Sequence, residues 1–203
     1  MAALDGFVRS GRVRYVGCSN FTAAGIVGGQ WAAHRVGGTP FTSLQANYSL
    51  VARAVEAEIL PTCREHGLGV LAYSPLASGI LAGRYRRGAE PGAGSRLAEW
   101  AAMPGPMARS YVTGLLADRH FDVADEVAAV AADLGTDAAT VSLAWVAGRP
   151  GITSVVLGPR TADHLAANLA GLAFELPAEA ATRLTAASRF GVRPPVNGQF
   201  HAA

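Results

Sequence analysis

The chain has 203 residues, half of them hydrophobic, and carries a net charge of +2. That is apolar material enough for one domain with a sizeable core, and too little positive charge for electrostatic binding of nucleic acid. All 17 residues counted as Lys+Arg are arginine, so these residues supply no lysine base, Schiff base or phosphate ligand.

The predicted elements run as follows. Ala3 to Ser10 reads as a helix with Leu4, Phe7 and Val8 on one face, stopped at Gly11. Val13 to Cys18 reads as a strand, followed by Ser19-Asn20 and a helix over 23–34 capped by Thr22. Phe41 to Ala46 is a second strand with a polar end at Gln45 and Asn47. Val51 to His66 is amphipathic and helical, disturbed at Pro61 and closed by Gly67. A third strand, Gly69 to Tyr73, is apolar throughout, as expected of a strand buried on both faces, and Pro75 ends it. The hydroxyls, glycines and arginine that follow, Ser74 to Arg84, suit either an anion-holding loop or an ordinary turn. Residues 86–120 are interrupted by Gly88, Pro91, Gly92, Gly94, Pro104, Gly105 and Pro106 and read as an irregular surface excursion with one short helix near 97–103. Helices are predicted over 122–134 and from Thr136 or Asp137 to Val146, then a fourth strand over 151–157, then helices over 161–172 and 177–188. A loose tail is expected from Phe190.

Strands that alternate with amphipathic helices imply parallel βαβ units. In such folds sites form at the C-terminal ends of the strands. Ser19-Asn20, Gln45, Tyr73-Ser74 and Gly158 to Arg160 all fall on that rim.

At these residues the chain resembles the aldo-keto reductase family. Four motifs carry the resemblance in order: Gly17-Cys18-Ser19-Asn20-Phe21, Gln45-Ala46-Asn47-Tyr48, Tyr73-Ser74-Pro75-Leu76 through Gly83, and Gly158-Pro159-Arg160-Thr161 with Asn168 on the next helix. The resemblance implies a (β/α)8 TIM barrel, of which residues 1–203 would form about the last four βα units as one domain, a half-barrel. It implies NADP(H) as cofactor, with NAD(H) left open, and a small-molecule aldehyde or ketone as substrate. Ser19, Asn20 and Gln45 would hold the nicotinamide carboxamide, and Tyr73 would stack on the ring. Ser74, Pro75, Leu76, Ser78, Gly79 and Arg84, helped by Arg96, would meet the pyrophosphate. Gly158, Arg160 and Thr161 would meet the adenosine 2′-phosphate, where a guanidinium and a helix N-terminus both favour a dianion. His164 and Asn168 would serve the adenine end. His164 and Ala167 stand where the family has Gln and Glu, which softens the preference for NADP over NAD. The family's catalytic Asp, Tyr, Lys and His would lie on the first four strands, so no catalytic residue is assigned here and the isolated chain is expected to be inactive.

Other residues read blandly. Tyr15, Tyr48 and Tyr111 are weighed as proton donors, and packing is favoured for the first two. Cys18 reads as an inert thiol on a buried strand end. The two cysteines suggest no disulfide framework, and His34, His66, His120, His164 and His201 lack ligand spacing, so no metal is expected. Trp31, Trp100 and Trp145 read as helix packing residues, and Arg86 and Arg87 as a solvated extension of Arg84. No apolar run reaches membrane-spanning length and Met1 to Asp5 is no signal peptide, so no membrane partner and a cytoplasmic location are expected. The alternative reading is a non-catalytic module that binds nucleotide or self-associates, because four strands without closure leave two exposed edges.

Overall fold

The computed structural model describes residues 1–189. The predicted tail from Phe190 lies outside the described residues. In chain order the elements are α1 (Ala2–Arg9), β1 (Val16–Ser19), α2 (Ala23–Arg35), β2 (Phe41–Asn47), α3 (Ile59–Glu65), β3 (Gly69–Tyr73), α4 (Arg96–Ala101), α5 (Pro106–Leu115), α6 (Asp118–Asp133), α7 (Ala138–Ala147), β4 (Ser154–Val155), α8 (Ala162–Leu172) and α9 (Ala178–Ala187). The strands form one sheet in the order β1-β2-β3-β4, with every pair parallel. This is the α/β architecture expected of consecutive (β/α)8-barrel units.

Register puts Ser19 beside Gln45 and Gln45 beside Leu71, so the C-terminal ends of β1 to β3 share one rim. β1 and β2 lie very close at Gly17, where a Cβ would fall on Ser43 Oγ. Only glycine is compatible with that approach.

One face of the sheet carries the core. Val16, Leu44, Ala46, Val70 and Ala72 are buried there against a cluster that includes Ile26, Leu60, Cys63, Val141 and Trp145. The α2 helix comes close because Gly29 lacks a side chain; a Cβ there would sit 2.6 Å from the Phe41 ring. Two expected caps are present, with Thr22 accepting from Gly25 N–H and Asp137 from Thr140 N–H, and Thr161 caps α8 by accepting from His164 N–H.

Several expectations are corrected. The helix over 51–66 is broken into a 3-10 turn at Ala54–Glu56 and α3. Pro61 sits in the first turn of α3, where its missing N–H costs nothing, so the helix starts just before it. The excursion over 86–120 holds two helices rather than one, and it buries Leu97, Ala108 and Val112. Pro106 opens α5 instead of breaking it. The fourth strand is only two residues long, although Thr153 N–H and Val156 N–H still donate to Val70 and Ala72 carbonyls at 2.8 Å. Tyr15 precedes its strand and is 75% exposed, and Trp31 is 60% exposed beneath the Arg35 guanidinium. Cys18 is only half-buried.

Candidate functional site

The rim is unusual in its backbone. Asn20, Ser74, Ala77 and Ser78 have φ of 58°, 56°, 47° and 58°, and they are the non-glycine residues with positive φ among the described residues. The left-handed conformation costs a side-chain-bearing residue roughly 1–2 kcal/mol. All four follow β1 or β3, and such strain gathers where a fold over-determines a binding surface.

Side chains from neighbouring strands meet at this rim. Tyr73 Oη donates to Asn20 Oδ1 at 3.0 Å, spanning from β3 to β1. Asn20 N–H donates to the Gln45 carbonyl at 3.1 Å, which ties the turn after β1 to β2. Ser19, Asn20 and Gln45 are exposed, and Tyr73 and Ser74 are half-buried. Amide and hydroxyl groups therefore face solvent above a sheet whose other face is sealed.

The turn after β3 runs from Ser74 through Gly83. Pro75 is buried and anchors it, and Leu76, Ser78 and Gly79 are half-buried. Gly79 has φ +106°, and the Arg84 stem crosses where its Cβ would be, at 3.3 Å. Arg84 N–H closes the turn on the Gly79 carbonyl at 3.1 Å, leaving the Arg84 residue exposed at its edge. Two tyrosines hold this turn from outside. Tyr85 Oη donates to the Ser78 carbonyl, and Tyr111 Oη lies 3.3 Å from Ser78 Oγ and 4.9 Å, ring to ring, from Trp100. Neither Tyr85 nor Tyr111 carries a sequence signal for this role. Both were hidden because the segment between them reads as irregular.

Beyond β4 lie Gly158, Arg160 and Thr161, all exposed, at the N-terminus of the eleven-residue α8. Arg160 reaches the Gly94 carbonyl and the Glu99 carboxylate. His164 is exposed on the first turn of α8, and Asn168 is half-buried one turn further on. Arg96, the first residue of α4, is exposed next to its Ser95 cap. The sequence-derived residues thus fall into a rim group, a turn group and a helix-end group along one edge of the sheet.

Other candidates are accounted for by packing. Tyr48 is fully buried, stacked on Trp145, and donates to Glu56 at 2.6 Å; burial and then the Glu56 carboxylate push its pKa upward. Burial pushes the Cys63 thiol up to about 11 and raises Cys18 as well, which makes both poor nucleophiles. Burial lowers the His120 pKa, and its Nδ1 lies 3.0 Å from the Leu115 carbonyl. Arg87 pairs with Asp118, Asp122 and Asp125 on the surface. Among the described residues no His/Cys/Asp/Glu group could hold a metal, and no single helix is long and apolar enough to cross a membrane. A cavity of about 530 Å³ opens beside the rim, lined by Asn20, Thr22, Asn47, Arg53 and His120 among others.

The chemistry of the donor set fits a dinucleotide. It offers amides at one end, strained backbone and hydroxyls in the middle, and a guanidinium at a capped helix N-terminus at the other.

Comparison with known proteins identifies the family. The Aldo/keto reductase family model matches residues 1–189. The uncharacterised oxidoreductase YrpG of Bacillus subtilis is 36% identical over 163 residues, which cover 80% of this chain and 45% of that protein. Protein tas of Escherichia coli is 32% identical over 179 residues, 86% of this chain and 47% of its own length. A probable voltage-gated potassium channel subunit beta of Arabidopsis thaliana is 32% identical over 173 residues, 82% of this chain and 49% of its own. The chain spans about half the length of the curated relatives it matches. On the strength of a match that runs through every described element, the chain belongs to the aldo/keto reductase family.

Proposed function

We propose that this chain is the nicotinamide-nucleotide-binding part of an aldo/keto reductase, acting with NADP(H) on a small aldehyde or ketone. The observation that carries the reading is the convergence of Asn20, Gln45, Tyr73 and Ser74 on one rim, with Tyr73 bonded to Asn20 across the intervening strand. The bound cofactor supplies hydride exchange with the carbonyl carbon. Ser19, Asn20 and Gln45 orient the nicotinamide through its carboxamide, and Tyr73 covers one face of the ring. Ser74, Leu76 and Ser78, with Gly79 and Arg84, take the pyrophosphate, with Pro75 setting the turn and Arg96 adding charge. Gly158, Arg160 and Thr161 take the adenosine phosphate, and His164 and Asn168 flank the adenine.

Reduction also needs an acid at the developing alkoxide. The chain has no lysine, and its buried Tyr48 is held by Glu56 and Arg149, away from solvent. By resemblance to the family, whose catalytic Asp, Tyr, Lys and His lie on its first four strands, the acid is assigned to residues outside this sequence, and the chain alone is expected to bind nucleotide without turning over substrate. With only one wall of the nicotinamide site built, affinity suffers from the water left on the ring. Isothermal titration with NADP⁺ tests the reading. Saturable one-to-one binding supports it, and a flat titration into the millimolar range overturns it.

A second reading is supported by the sheet itself. Among the described residues β1 and β4 each pair on one side only. Such edges invite strand addition, and association of half-barrels through them is the proposed consequence. Sedimentation velocity over a concentration series tests it; a sharp monomer at every concentration removes this reading.

A further inference from the structure

The inference concerns cofactor discrimination and rests on the nucleotide-site reading above. Arg160, assigned to the adenosine end, already has partners. Its Nη1 donates to the Gly94 carbonyl at 3.1 Å, and its Nη2 lies 3.5 Å from Glu99 Oε1. Both contacts come from the segment that follows the phosphate turn. That segment is stapled to the turn: Leu97 N–H donates to Tyr85 Oη, which itself donates to the Ser78 carbonyl, each at 3.3 Å. Glu99 is therefore held beside Arg160 by the same element that closes the pyrophosphate turn. Its carboxylate is 56% exposed and the guanidinium 54%, so neither is locked.

We propose that Glu99 is a specificity-determining residue that competes with the adenosine 2′-phosphate for Arg160 and so narrows the preference for NADP over NAD. A phosphate dianion on Arg160 stands within two hydrogen-bond lengths of the Glu99 carboxylate. At solvent-like dielectric, repulsion between a single and a double negative charge at that range is worth about fivefold in affinity after salt screening. A 2′-hydroxyl carries no charge and leaves the Arg160–Glu99 pair intact.

The test is titration of the whole chain with NADP⁺ and with NAD⁺, in the wild type, Glu99→Gln, Arg160→Ala and the double variant. E99Q is expected to tighten NADP⁺ about fivefold and leave NAD⁺ unchanged, with the gain shrinking as salt is raised. On the R160A background the gain is expected to vanish, because the competition is for that guanidinium. Equal affinities in E99Q and wild type, or equal tightening of both nucleotides, overturn the proposal while leaving the site reading intact. Failure of every form to bind either nucleotide overturns the site reading, and this inference falls with it.

Discussion

The two faces of the four-stranded sheet are built from opposite materials. The helix-covered face presents Val16, Leu44, Ala46, Val70 and Ala72, each 9% exposed or less. The other face presents Gly17, Ser19, Ser43, Gln45, Leu71, Tyr73 and Ser154, by pairing register with the rim residues, and none of these is buried. Parallel sheets are ordinarily covered on both faces. Here stability is concentrated on one side, and polar, solvent-facing chemistry is concentrated on the other. Large exposed apolar residues gather near the outer strands, with Tyr15 just before β1 and Leu165 and Leu169 on α8 after β4. Trp31, on the helix that follows β1, is exposed in the same way.

The sharpest way to break this contrast is to delete one large side chain from each face. Trp145 is 1% exposed, stacks on Tyr48 at 5.7 Å and donates its indole N–H to Thr185 at 3.0 Å. Trp145→Ala is expected to cost about 3–5 kcal/mol in urea unfolding. Gln45→Ala on the open face is expected to stay within about 0.5 kcal/mol of the wild type while weakening NADP⁺ binding. Comparable losses from both substitutions would mean that the open face also carries the fold.

A second test uses the ion cluster beneath the covered face. Glu56 takes both arms of Arg53 at 2.8 Å and the Tyr48 hydroxyl at 2.6 Å, with Arg149 3.8 Å away. Arg53 also reaches the Thr185 carbonyl and Ser188 Oγ, tying the end of α9 to the loop after β2. Burial by itself raises the Glu56 pKa, but the hydrogen bonds from Arg53 and Tyr48 and the two positive charges outweigh it, so the carboxyl is held below its usual 4.5. A depressed carboxylate contributes stability that is fully present above the unfolded-state value and is lost as pH falls through the folded-state value. Stability is therefore expected to decline on acidification below about pH 4.5, and the decline should be shallower in Glu56→Gln. That variant leaves Arg53, whose side chain is 9% exposed, without its counter-charge, and is expected to cost about 3 kcal/mol at neutral pH. Urea midpoints taken from pH 3 to pH 7 measure both effects.

The open face and its rim were legible because their signals are local. Ser19-Asn20, Gln45, Tyr73-Ser74 and Arg160-Thr161 each stand at a change from apolar strand to polar turn, and the parallel register brings the first three together. What escaped the sequence depends on tertiary context. Pro106 can break or begin a helix, and only the burial of Ala108 and Val112 decides for beginning. The residues after Val51 have helical periodicity, yet the Arg53–Glu56 pair is satisfied in a 3-10 turn. The last strand is only two residues long, and among the described residues its ladder partner is β3. Trp31 looks like a core residue, yet it is exposed beneath the Arg35 guanidinium. Glu99 and Tyr111 reach the site across long stretches of chain, and no spacing reveals them.

The smallest expected effect lies in the backbone of the rim. Ala77 is buried with φ of 47°, a conformation that costs alanine about 1–2 kcal/mol and glycine almost nothing. Glycine brings its own penalty of roughly 0.5–1 kcal/mol through the freedom of the unfolded chain. The difference favours Ala77→Gly by about 0.5 kcal/mol, read as a small rise in urea midpoint. The sign matters more than the size, because replacing alanine by glycine at a buried site with ordinary φ is destabilising. A rise in midpoint together with weaker NADP⁺ binding would show that strain in the turn after β3 keeps the phosphate contacts ordered. A fall in midpoint would show instead that the methyl packing of Ala77 outweighs its strained φ, and the division between a stabilising face and a strained rim would fail at that residue.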